Sequence, residues 1–166
     1  MRIVHVSDLH LTKPFEFGAF WGKRLLGSLS WFRKKQFEHK LTTLEMVFQQ
    51  LLLENPDIVA ITGDLVQLGL AKEIISAKNW LSDQVKDVEI IIVPGNHDIY
   101  ASESLNNILT QWSKFLKLDE PYHDKFPSCA LYGDLVLFGL CSALPTPFWS
   151  AQGFIDHEQF YRLELL

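Results

Sequence analysis

Asp8 and His10 come just after the apolar run Ile3 to Val6. Gly63-Asp64 ends the run Ile58 to Thr62, and Gly95-Asn96-His97-Asp98 follows the mostly apolar run Val88 to Val93 and one proline. A hard carboxylate two residues from an imidazole suits a divalent transition metal such as Mn, Fe, Co or Zn, and at a strand end the two side chains can point to one side. Asp64 brings two carboxylate oxygens, enough to bridge two ions. Asn96 adds a neutral carbonyl oxygen, which can complete a second site without adding charge. Two ions ~3.5–4 Å apart clamp the attacking and leaving oxygens of an in-line displacement at phosphorus, and they acidify a bridging water so that hydroxide is available near neutral pH. An imidazole, whose reference pKa is ~6.5, can protonate a leaving alkoxide or steady a phosphoryl oxygen, and His97 is the natural acid/base for that role. Asp98 is placed to orient its imidazole.

Singly, each cluster has a plainer reading. Asp-x-His suits a turn or a satisfied polar pair, Gly63-Asp64 suits a strand-ending turn, and Gly95, Asn96 and Asp98 are all turn formers. Together, in this order and each at a strand end, they form a specific pattern. In an open α/β sheet, chemistry gathers in the crevice beyond the carboxyl ends of the strands.

The elements that must position them alternate. Ile3 to Val6 reads as a short buried strand. From Gln36 to Glu54 the apolar residues Leu41, Leu44, Val47, Phe48, Leu51 and Leu52 recur at helical spacing, and Asn55-Pro56 stops that helix. Asp57 to Thr62 is a second strand, Ala71 to Gln84 a helix with Ile74, Ile75, Ala77, Trp80 and Leu81 as its stripe, and Val88 to Val93 a third strand. This alternation implies right-handed crossovers and a parallel sheet, an α/β fold. Ser102 to Leu118 reads as a third helix. Cys129 to Tyr132 and Leu135 to Leu140 flank Gly133-Asp134 as a hairpin. Asp156 and Gln159 stand at capping-box spacing before Phe160, Leu163 and Leu166, the stripe of a last helix. Residues 15 to 40 mix aromatic and basic side chains with Gly18, Gly22 and Gly27. They read as a loop with short helical pieces beside the site, either packed or serving as a lid or peripheral membrane contact.

Composition narrows the class. A chain of 166 residues is one domain's worth, and 48% hydrophobic residues supply a core. The net charge of −5 argues against nucleic acid as a partner. Cys129 and Cys141 are too few for a disulfide framework and read as reduced thiols of a cytoplasmic protein. No signal peptide opens the chain, and no apolar stretch approaches the ~20 residues of a membrane span. No repeat or low-complexity segment is present.

Asp8-x-His10, Gly63-Asp64 and Gly95-Asn96-His97-Asp98 resemble the first three motifs of the calcineurin-like metallophosphoesterases. The version ending in Asp resembles the bacterial cyclic-nucleotide phosphodiesterase branch. The resemblance implies a four-layer αββα sandwich with a binuclear metal centre that hydrolyses a small-molecule phosphoester through a metal-bound hydroxide. It implies that Asp8, His10 and Asp64 hold one divalent ion, that Asp64 and Asn96 hold the other, and that His97 acts at the leaving group. Cyclic nucleotides, other phosphodiesters and lipid-linked pyrophosphates at a membrane surface are the implied substrate classes.

The resemblance weakens past residue 98. The family's later His and its Gly-His-x-His cluster have no counterpart; His123 and His157 do not match them, and His5 and His39 read as structural or solvated. Residues 1–166 are therefore expected to be the N-terminal part of such a domain, with its C-terminal portion missing. Weak Mn or Zn binding and poor hydrolysis of bis-p-nitrophenyl phosphate are the corresponding expectations. The alternative is a non-catalytic remnant of such an enzyme.

Overall fold

The computed structural model describes residues 1–11, 41–118, 125–147 and 149–166. Three short strands rich in β-branched residues form its main sheet. They are β1 (Ile3–Val6), β2 (Ile58–Thr62) and β3 (Glu89–Val93), paired in parallel in the order β1-β2-β3. The register sets Val6 opposite Ile61 and Ile61 opposite Ile92. The loops leaving all three strands therefore start from one edge of the sheet.

Helix α1 (Leu41–Leu53) precedes β2, and α2 (Ala71–Gln84) carries the chain from β2 to β3. Asn55 ends α1 in the left-handed conformation, φ 49°, which asparagine tolerates better than most residues. Phe48 of α1, Ile74 and Leu81 of α2, and Ile61 and Ile92 of the sheet are buried in one core. Trp80 meets Phe48 edge to face at 4.8 Å between ring centres. Among the described residues, no helix is long and apolar enough to cross a membrane.

The strand–helix alternation expected from periodicity is the observed one, and its buried faces are narrower than expected. Strand β1 is not fully buried: Ile3 is 40% exposed and His5 is exposed. Among the described residues it pairs with β2 alone and is an outer strand of the described sheet. In α1 only Phe48 and Leu51 are buried, while Leu41 and Val47 face outward; in α2, Ile75 does too. The single helix expected over Ser102 to Leu118 is two, α3 (Ser102–Gln111) and α4 (Ser113–Leu116). The break falls at Trp112, whose backbone leaves helical geometry (φ −102°, ψ 9°) as its buried indole N–H donates to the Ile74 carbonyl at 2.9 Å.

Strands β4 (Ser128–Tyr132) and β5 (Leu135–Gly139) pair antiparallel as a hairpin, with Tyr132 opposite Leu135 and Gly133 turning at φ 60°. The last helix, α5 (His157–Leu165), departs most from expectation. Asp156 caps it, accepting from the Gln159 N–H at 2.7 Å, but the reciprocal arm of a capping box is not made. The Gln159 carboxamide instead grips the backbone of Cys141, accepting from its N–H at 3.0 Å and donating to its carbonyl at 2.8 Å. Arg162 donates from Nε to the Phe126 carbonyl at 2.7 Å. Ser128 and Gly139 are paired at the open end of the hairpin, so Gln159 and Arg162 hold its two legs from one helix. Gln159 and Arg162 are buried, while Phe160 and Leu166 are exposed. The anticipated loop over 15 to 40, together with His39 and His123, lies outside the described residues.

Candidate metal centre

Beyond β1 the chain stays against the loop after β2. The Asp8, His10 and Leu11 N–H groups donate to the carbonyls of Gly63, Asp64 and Leu65 at 3.1, 2.9 and 2.9 Å. Leu9 is buried in the core between the two polar residues. Asp8, His10 and Asp64 all adopt left-handed backbone, with φ of 59°, 44° and 55°. Such a conformation costs a side-chain-bearing residue about 1–2 kcal/mol, and clustered outliers of this kind mark functional sites.

The result is a set of donors aimed at one point. Ligand atoms of Asp8, His10 and Asp64 lie within 4.8 Å of one another. Two carboxylates and an imidazole this close fit a divalent transition ion by donor type, and a cation would relieve the repulsion between the acids. Asp8, His10 and Asp64, which the sequence places in three-ligand company, are thus brought together, and Asn96 lines the same cleft.

Two glycines let the loops after β2 and β3 touch. A Cβ on Gly95 would lie 2.3 Å from Asp64 Oδ1 and 2.9 Å from the Gly63 Cα, so no side chain fits there. With that contact made, the His97 N–H donates to Asp64 Oδ1 at 2.9 Å and fixes one oxygen of the carboxylate.

Asp98 does not orient His97. Its buried carboxylate accepts from the Val66 N–H at 2.8 Å and the Gly95 N–H at 2.9 Å. It ties the two strand-end loops together from beneath. Its turn is closed by the Ile99 N–H on the Gly95 carbonyl at 3.0 Å, which sends consecutive side chains in different directions. Burial pushes the Asp98 carboxyl up to about 7, the Gly95 and Val66 N–H groups oppose this, and the Asp64 charge reinforces it. Cations at Asp64 would pull it back down.

The orienting group for His97 is the backbone carbonyl of Gln67, 2.7 Å from Nδ1. A carbonyl only accepts, so Nδ1 carries the proton and Nε2 is left for exchange. The Gln67 carboxamide nitrogen lies 3.4 Å from the same ring atom. The His97 ring also packs edge to face against His10, 4.9 Å between centres at 88°. Sequence reasoning missed Gln67, although a polar residue inside the apolar run Leu65 to Leu68 was the available signal; it is only 3% exposed. His5 bonds Thr62 Oγ1 through Nε2 at 2.6 Å, and His157 is exposed at the start of α5, so neither joins the cluster.

Asp8, Asp64 and Asn96 form one side of a cleft of about 470 Å³, and Phe138, Ser142 and Gln152 contribute to the rest. The contribution from β5 and the loop after it was not foreseen. A profile of the calcineurin-like phosphoesterase family matches residues 1–162. The parallel sheet with its helices is consistent with that family's fold. No curated protein matches the chain.

Proposed function

This chain belongs to the calcineurin-like phosphoesterase family, and on that basis we propose that it hydrolyses phosphodiesters with two divalent ions of the Mn, Fe, Zn or Co class. The observation that carries this reading is the convergence of Asp8, His10 and Asp64 within 4.8 Å. Those three would hold one ion, and Asp64 with Asn96 the other. When bound, such ions supply positive charge to the phosphoryl oxygens and acidify a water. The water gives up a proton as its oxygen joins phosphorus, the bond to the leaving oxygen breaks with its electron pair on that oxygen, and His97, taking the released proton on Nε2, is the group placed to hand it to the leaving oxygen. The Gln67 carbonyl keeps Nδ1 protonated throughout, so the exchange runs through Nε2. Asp98 acts earlier, by holding the loop that presents Asn96 and His97.

Metal content and turnover of bis-p-nitrophenyl phosphate at millimolar Mn²⁺ or Zn²⁺ test this reading. Turnover that disappears with chelator and returns with metal is the expected result; a metal-loaded chain without turnover would sink it. The short protein ligand set, three close donors and Asn96, favours a second reading in that event, a family member that binds metal without catalysis.

A further inference from the structure

The cleft beside the metal cluster is much larger than a phosphate needs. At about 470 Å³ it falls within the ~300–1,000 Å³ range of sites that enclose whole organic ligands. One of its walls is the end of β5 and the loop that follows. Phe138 stands in that wall, 46% exposed. In the hairpin it lies opposite Cys129, on the face it shares with Leu131 and Val136. No described aromatic ring packs against it. An aromatic ring left half bare on a strand, at the edge of a metal cleft, has a π-face to offer a ligand.

The wall is fixed in place. The Phe154 N–H donates to the Ser142 carbonyl at 2.8 Å, and a Cβ on Gly153 would lie 3.0 Å from that same oxygen, so the loop closes tightly on Ser142. Gln159 grips Cys141 next to it from both sides, and the Cys141 thiol reaches the Pro94 carbonyl at 3.7 Å, joining the exit of β5 to the exit of β3. The strand end that carries Phe138 is therefore held at a set position relative to the loops that carry Asp64 and Asn96.

Charge selects among phosphoesters. The described residues lining the cleft include Asp8 and Asp64 but no lysine or arginine. With cations held at Asp8 and Asp64, this lining supplies no basic side chain to pair the second negative charge of a phosphomonoester, a charge that a phosphodiester lacks.

We infer that Phe138 is a specificity-determining residue, a shelf on which a planar organic group of a phosphodiester stacks while its phosphorus faces the metal cluster. The inference rests on the phosphodiesterase reading for the placement of phosphorus and adds the class of the esterified group. Stacking of one planar ring on an aromatic side chain corresponds to roughly tenfold in affinity.

The test measures binding as well as turnover. Calorimetric titration of the Mn²⁺-loaded 166-residue chain with diphenyl phosphate and with dimethyl phosphate should show the diphenyl ester bound roughly tenfold more tightly. Phe138→Ala and Phe138→Leu should remove that preference, the leucine variant keeping apolar bulk in case alanine unsettles the hairpin, and Phe138→Trp should retain it. Dimethyl phosphate affinity should stay level across the series. A preference that survives in the folded leucine variant, or a wild-type chain that shows none, overturns the inference. A Phe138-dependent preference in a chain that turns over no bis-p-nitrophenyl phosphate upholds the shelf and removes the hydrolase reading alone.

Discussion

His97 Nδ1 lies 2.7 Å from the carbonyl oxygen of Gln67, so the tautomer of this acid/base candidate is set by main chain rather than by a neighbouring carboxylate. A backbone acceptor adds no charge and cannot be lost by substitution at position 67. The consequence falls on His97 itself. Replacing it with Gln should lower kcat for bis-p-nitrophenyl phosphate by about 100- to 10,000-fold, the usual contribution of general acid–base catalysis. Metal affinity measured by calorimetry should stay within a few-fold, because Asp8, His10 and Asp64 are untouched.

Asp98 is expected to behave as a structural residue. Asp98→Asn keeps the shape but turns one acceptor into an NH₂ group that faces a buried N–H, from Val66 or Gly95. Stability measured by urea denaturation should fall by about 1–3 kcal/mol, the cost of leaving a buried donor unmade. If the variant keeps wild-type stability and loses only kcat, the linking role assigned to Asp98 is wrong.

The strand-end motifs were legible because each follows a run of β-branched residues, and a strand leaves little choice about where its loop begins. Asp98 was misread for a related reason. Adjacency to His97 suggested a partner, while the turn closed on Gly95 sends the carboxylate toward Val66 instead. The buried side of α5 was illegible because apolar patterning marks Phe160 and Leu166, whereas Gln159 and Arg162 go inside to meet bare backbone at Cys141 and Phe126. Likewise, Trp112 fits a continuous helix by spacing, and only its hydrogen bond to Ile74 reveals the break.

Gly95→Ala should damage the proposed metal centre without altering any of its proposed ligands. The added methyl would sit 2.3 Å from Asp64 Oδ1, so the carboxylate must rotate or the two loops must part. Mn²⁺ or Zn²⁺ affinity by calorimetry should drop about 10–100-fold, as for loss of a group that orients a ligand. Unchanged affinity would show that Asp64 has room the structure does not indicate.

Alkaline pH offers a separate probe. Burial pushes the Cys141 thiol from its ordinary 9.0 up to about 11, with the Asp98 charge adding to the rise and the Ala143 N–H opposing it. Between those values the unfolded chain has released the proton and the folded chain still holds it, so the folded state binds more protons and stability declines as pH rises. Stability is whole below pH 9.0 and should fall between there and about 11, by at most roughly 1.4 kcal/mol per pH unit. Denaturation of Cys141→Ala across the same range should lack that component.

Asp8, His10 and Asp64 share left-handed backbone, and this sets activity against durability. Glycine in place of Asp8, whose side chain is exposed, would relieve about 1–2 kcal/mol of strain, against roughly 0.5–1 kcal/mol of extra freedom in the unfolded chain, and it would also remove a charge from a crowded pair. The metal-free protein should therefore melt higher when Asp8 is replaced by glycine, while Asp64 and His10, which hold the His97 N–H and the His97 ring, offer no such gain.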